Sequence, residues 1–151
     1  MIVYRITRSA HQEIDGEGAR RSGGRWNSPG TPAVYASGTR ALAVLEYLVH
    51  IDVEEVPDDI VLLSLEVPDD LPVTSYVADS LVPGWEFLEA ARECRILGDN
   101  WLKSGSTAVL WVPSALMPEE HNYVLNPRHP AAGVVHVLHV RPFAFDRRLL
   151  L

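Results

Sequence analysis

Glu46 stands in "RALAVLEYL" (40–48), a stretch of helix-forming residues. Leu42 lies four positions before it and Val49 three after, a spacing that puts all three on one helical face. That face is apolar, and leaving a carboxylate unpaired in a protein interior costs several kcal/mol. Two readings meet that cost: a half-buried glutamate bonded to nearby backbone or an arginine, or a carboxylate lining a cleft. Upstream, Arg25 sits in "SGGRWN". The flanking glycines leave room for a ligand to approach. A guanidinium there could grip a phosphate or carboxylate through two parallel hydrogen bonds, or could face solvent while Trp26 anchors the loop. Tyr35 follows in a short apolar strand, where an aromatic serves core as readily as site. Ser114 comes after "WVP", at the end of a strand, where clefts commonly open, but not in a Gly-x-Ser-x-Gly context. Asn122 and Asn126, in "EEHNYVLNPRHP", read as loop asparagines that orient a ligand or shape turns.

Other chemistries have less support. The chain carries six histidines. His136 and His139 are three apart in an expected strand and so should point to opposite faces, while His121 and His129 fall in an expected loop. No metal site is expected. The four tryptophans, at 26, 85, 101 and 111, read as core anchors rather than a stacking platform. A lone cysteine, Cys94, excludes an internal disulfide and a thiolate zinc cluster, as suits a reducing cytoplasm. The formal charge of −7 argues against nucleic acid as a direct partner, yet it is compatible with a small anion held by local arginines. Neither a secretory signal nor an apolar run near the roughly 20 residues that cross a bilayer is visible, so a soluble, cytoplasmic protein is expected.

The elements that must position these residues follow from periodicity. The 151 residues, 47% of them hydrophobic, are enough for one domain with a sizeable core. "IVYRIT" (2–7), "AVYAS" (33–37), "DIVLLSLEV" (59–67), "TAVLWVPS" (107–114), "GVVHVLHV" (133–140) and "FAF" (143–145) are predicted strands, the last two as a pair. A helix is predicted from Thr39, as N-cap, through His50. A second is predicted over 85–103, with Gly98 and Asn100 able to break it in two. The polar stretch 11–32 reads as loop, its glycines marking turns. About six strands and two helices, without regular alternation, make an α+β domain built on a single mixed or antiparallel sheet.

Together, "YRI" near the start, "GGRWNSPGTPAVYAS", the helix with "ALAVLEYL", the late "WVPSAL" and "HNYVLNPRHP" resemble the RES domain family. The resemblance runs from about residue 3 to residue 145. It implies a fold similar to that of ADP-ribosyltransferases and a site formed by Arg25, Tyr35, Glu46 and Ser114, with Asn122 a further contributor. It implies the toxin half of a bacterial toxin–antitoxin pair, whose members consume NAD by hydrolysis, phosphorolysis or transfer of ADP-ribose to a protein. The implied partner is a DNA-binding antitoxin of the Xre helix-turn-helix type that blocks the active site; a homodimer or a higher complex with that antitoxin is compatible with it. NAD is the expected substrate, with no other cofactor.

Breaking the nicotinamide–ribose bond develops positive charge on the ribose, as an oxocarbenium-like ion. A fixed carboxylate beside it stabilises that charge, a problem that glycosidases meet in the same way. Glu46 is the candidate for this role, Arg25 for holding the pyrophosphate, and Tyr35 for packing against nicotinamide or its ribose. Ser114 could donate to a phosphate or to the nicotinamide amide. Beside this stand two non-catalytic readings: a module that binds a nucleotide without cleaving it, and a pure interaction subunit.

Overall fold

A computed structural model describes all of residues 1–151. Seven strands form one sheet: β1 (Ile2–Arg8), β2 (Val34–Ser37), β3 (Ile60–Glu66), β4 (Val73–Ser75), β5 (Val109–Pro113), β6 (His121–Leu125) and β7 (His136–Pro142). Their order is β4-β5-β6-β2-β1-β3-β7, and every neighbouring pair is antiparallel except β4 with β5. Three helices accompany them: α1 (Glu17–Ser22), α2 (Arg40–Leu48) and α3 (Ala91–Ser104). The expected α+β architecture with a single mixed sheet is therefore the one observed.

Strand alternation divides the core by sheet face. One face carries Val3, Val34, Ala36, Leu63, Leu65, Val109 and Leu125, packed as one cluster. The other face carries two clusters. Ile6, Ile60 and Leu62, on β1 and β3, pack with Ala43 of α2 and with Phe145. Leu110, Val112 and Val124, on β5 and β6, pack with Trp26, Trp85 and Trp101. β2 lies between these two clusters in the strand order, and its Tyr35 and Ser37 point to the same face.

The structure departs from the sequence-based elements at several places. The stretch 11–32 is not all loop: α1 forms within it, with Arg20 Nε donating to both Glu17 carboxylate oxygens at 2.8 and 3.0 Å. β4 went unpredicted because three residues with exposed ends carry no readable period. β6 was read as loop, yet its polar residues form a strand paired on both sides. His121 therefore belongs to a strand, where its ring stacks on Trp111 with centroids 3.8 Å apart. Phe143–Phe145 form no strand: β7 ends at Pro142, which cannot donate to a ladder, and Phe145 turns into the core instead. A register shift between Ser64 and Leu65 pairs His136 with Glu66 and His139 with Ser64. Because Ser64 and Glu66 share a face, the bulge brings the two histidines to one face rather than opposite ones.

The second helix starts at Ala91, not Trp85, and runs unbroken through Gly98 and Asn100 to Ser104. Gly98 has another reason to be there. A Cβ on it would lie 1.9 Å from the backbone oxygen of Trp26, so only glycine lets α3 cross the "GGRWN" loop this closely.

Candidate active site

The cap of α2 fixes where Glu46 begins. Thr39 has extended backbone angles and its hydroxyl accepts from Leu42 N at 3.1 Å, while also donating to Glu120 Oε2 at 3.1 Å. Leu42 and Ala43 are buried, and Leu42, fully packed, contributes about 1.5–3 kcal/mol of burial. The expected apolar stripe through Val49 is not formed: Val49 is 56% exposed. Glu46 is half-buried on the flank of the helix and points at the sheet.

What it meets there is set by strand register. Tyr4, Ser37 and Asn122 are consecutive partners across β1, β2 and β6, and Val112 pairs Asn122 on β5. Directly opposed residues share a face, so Ser37 and Asn122 stand side by side, and Ser114, two residues past Val112, follows on that face. Ser114 Oγ donates to Glu46 Oε1 at 2.7 Å, and Asn122 Nδ2 donates to the same oxygen at 2.5 Å. Ser37 Oγ in turn donates to Asn122 Oδ1 at 2.7 Å, which fixes the amide with its NH2 toward the carboxylate. Ser114 Oγ also accepts from Leu116 N at 3.1 Å and Met117 N at 3.2 Å, so its proton is committed to Glu46. Glu46 Oε2 receives no hydrogen bond from the protein.

Arg25 and Tyr35 belong to a second group. The Tyr35 hydroxyl donates to Asn27 Oδ1 at 2.7 Å and accepts from Trp26 N at 3.0 Å. A Cβ on Gly24 would come within 2.6 Å of that hydroxyl, so the loop lies directly on the tyrosine. Burial, above all, pushes the Tyr35 hydroxyl far above the ordinary tyrosine range. It is therefore a neutral hydrogen-bonding group at any physiological pH. Asn27 donates onward to the carbonyls of Ala19 and Thr31 at 2.9 and 2.8 Å.

The guanidinium of Arg25 donates to three successive carbonyls: Trp85 O at 2.7 Å, Glu86 O at 3.2 Å and Phe87 O at 3.4 Å. None of its bonds goes to the Glu46 group. Three of its five donors are thus used on a strap that exposes Phe87 and, at 84%, Leu88.

Of the residues singled out from sequence, Glu46, Ser114 and Asn122 form one hydrogen-bonded cluster. Arg25 and Tyr35 are joined to each other through the backbone of Trp26, and to that cluster only through β2. Asn126 belongs to neither group. It is buried, donating to Leu102 O at 3.1 Å and accepting from Arg128 N at 3.0 Å, a turn-shaping role. Sequence reasoning missed Ser37, which orders the amide of Asn122. The available signal was its place two residues after Tyr35 on one strand, hence on the same face.

Similarity to known proteins is extensive. The model of a family described as the RES domain matches residues 2–146. A protein named "Prs ADP-ribosylating toxin" from a Sphingobium species is 39% identical over 140 residues, which cover 91% of this chain and 87% of that protein. A protein named "Toxin Res" from Pseudomonas putida is 41% identical over 151 residues, covering 99% of each. Among solved structures, the M. tuberculosis MbcT–MbcA toxin–antitoxin complex contains a chain that superposes with a TM-score of 0.78 at 21% identity. The match covers 94% of this chain and 83% of that one, a likeness of fold.

Proposed function

The chain belongs to the RES domain family, and from that premise we propose that it is the toxin of a toxin–antitoxin pair that cleaves the nicotinamide–ribose bond of NAD. The observation that carries this reading is the Glu46 carboxylate. One oxygen is pinned by Ser114 and Asn122, and the other is free of protein donors. A carboxylate fixed in this way needs no reorganisation when positive charge develops beside it. In the reaction, the bond between ribose C1′ and the ring nitrogen breaks and its electron pair leaves with neutral nicotinamide. The ribose passes through a cationic state that Glu46 Oε2 faces. A nucleophile then adds to C1′: water, phosphate or a protein side chain, each losing a proton. Ser114 and Asn122 act by positioning Glu46 rather than by holding a phosphate.

Arg25 is the group for the pyrophosphate. To receive it, the guanidinium exchanges some of its carbonyl partners at 85–87 for phosphate oxygens, a charge-assisted replacement that favours binding. Tyr35 supports the loop through its hydroxyl, which donates to Asn27 Oδ1 and accepts from Trp26 N.

The name of the Sphingobium relative supports transfer of ADP-ribose to a protein as the second form of the same chemistry. The toxin–antitoxin complex among the structural neighbours supports an antitoxin as partner, and we assign it to the Xre helix-turn-helix type. Purified protein incubated with NAD should release nicotinamide, followed by chromatography. Supplying phosphate or a protein extract as acceptor separates phosphorolysis and transfer from hydrolysis. Absence of release under all three conditions would sink the proposal, and saturable binding without release would leave a nucleotide-holding module.

A further inference from the structure

At the other end of β2 and β6 from Glu46, a cavity of about 210 Å³ opens among Thr31, Asp99, Lys103, Asn126 and Arg128. Asn122 and Asn126 are four residues apart along the chain, so the two places are separated by about 13 Å at strand spacing. The cavity wall is built rather than casual. Asn126 is 3% exposed; its amide bonds Leu102 O, its backbone N–H bonds Ala108 O at 2.9 Å, and its Oδ1 takes the N–H of Arg128. This fixes the turn that presents Arg128 beside the last turn of α3, where Lys103 stands next to Leu102.

Neither Lys103 nor Arg128 forms an ion pair or a side-chain hydrogen bond. Two carboxylates lie nearby, each with hydrogen-bond partners of its own. Asp99 accepts from Ser28 N at 2.8 Å with one oxygen and from Ser28 Oγ at 2.5 Å with the other. Glu17 is held below the usual carboxylate range by its hydrogen bonds with Arg20, with a smaller contribution from the charge of Arg128. Two cations without a direct ion-pair partner, one a point charge and one a planar fork, therefore line, together with the Asp99 carboxylate, a polar cavity larger than a single water could fill.

We propose that this cavity is an anion site for a phosphate group, free or on a small phosphorylated metabolite, held by Lys103 and Arg128. It is separate from the Glu46 cluster and does not depend on the NAD reaction. Thr31 O accepts from Asn27 and Asp99 holds Ser28, so an occupant would bear directly on the loop that carries Arg25.

The test is a titration of the full chain at low ionic strength with inorganic phosphate and, separately, ribose 5-phosphate, followed by calorimetry and amide NMR. Saturable binding is expected for at least one, with shifts at residues 99–103 and 126–128, and the tighter of the two identifies the source. The double variant Lys103→Ala/Arg128→Ala should bind at least tenfold more weakly. Because both side chains are exposed, its fold should be kept, which circular dichroism checks. Glu46→Gln should bind as the wild type does, and saturating NAD should not displace the anion. Absence of binding to either probe, undiminished binding by the double variant, or displacement by NAD would each overturn the proposal. Loss of NAD cleavage in Glu46→Gln with phosphate binding retained keeps the two readings distinguishable.

Discussion

The two groups of polar residues on this face of the sheet are built on different principles. Around Glu46, side chains bond side chains: Ser37 to Asn122, then Asn122 and Ser114 to one carboxylate oxygen. Around Arg25, most bonds run from side chain to backbone: Arg25 to three carbonyls, Tyr35 to Trp26 N and Asn27 to three carbonyls, beside the side-chain bond of Tyr35 to Asn27 Oδ1. The first arrangement leaves a charged atom without a protein partner. The second leaves two donors of the Arg25 guanidinium free and fixes where a loop runs. In the proposed reaction, this would separate the group that meets developing charge from the scaffold that sets its distance to the ligand.

The comparison can be broken most forcefully at Glu46. In Glu46→Gln the amide oxygen still accepts from Ser114 and Asn122, so thermal stability should stay close to that of the wild type. Nicotinamide release should nevertheless fall by about 10²–10³-fold, the scale of losing one preorganised electrostatic group. Wild-type turnover in that variant would move the chemistry elsewhere. On the scaffold side the largest effect is expected at Gly98. Alanine there must push α3 away from the Trp26 carbonyl, and forcing an extra group into a packed contact costs about 1–3 kcal/mol, with more when the obstacle is backbone. Denaturant unfolding should show at least that loss; unchanged stability would mean that the helix and loop are not held against each other.

Arg25→Ala tests whether the scaffold also touches the ligand. It removes the strap's three hydrogen bonds and the proposed phosphate contact together. The expected result is a rise in KM of about tenfold, the size of one charge-assisted bond lost, with a smaller change in kcat. Arg25→Lys should not restore it, because a point charge cannot reproduce the fork. A lowered stability with unchanged KM would assign Arg25 wholly to the strap. No loss of turnover beyond that of stability is expected for Tyr35→Phe, which leaves Trp26 N and Asn27 Oδ1 without their partner at a cost of about 1–3 kcal/mol. Its pH dependence sharpens the point. The folded-state pKa of Tyr35 is raised, so its contribution is fully present below the unfolded tyrosine value near 10 and is lost as pH rises beyond it. The stability gap between wild type and Tyr35→Phe should therefore narrow above about pH 10. A gap constant to pH 11 would mean that the hydroxyl is not buried in solution.

Much of the site was legible before any coordinates. Thr39 as cap and a helix carrying Glu46 followed from spacing, although the apolar face expected through Leu42 and Val49 did not form, and the glycines about Arg25 marked a loop. β6 was not legible. "HNYVL" begins with polar residues because half of its length faces the polar row beside Glu46 rather than a core, which erases the hydrophobic alternation that announces a strand. Gly98 was misread for a similar reason: a glycine inside a helical pattern looks like a breaker until the neighbouring backbone is in view.

By itself, then, the sequence determined the mixed α+β class, the cap and course of α2, and the residue types that resemble the RES family, because these depend on local periodicity and motif. Only the tertiary structure decided which of those residues touch. Strand register placed Asn122 beside Ser37 and Ser114 beside Asn122, and the path of the strap gave Arg25 its three carbonyls. The bonds of Arg25 to Trp85 O, Ser37 to Asn122 and Ser114 to Glu46 join positions 60 to 85 residues apart. They are fixed by the packing of the whole sheet, which no local window of sequence contains.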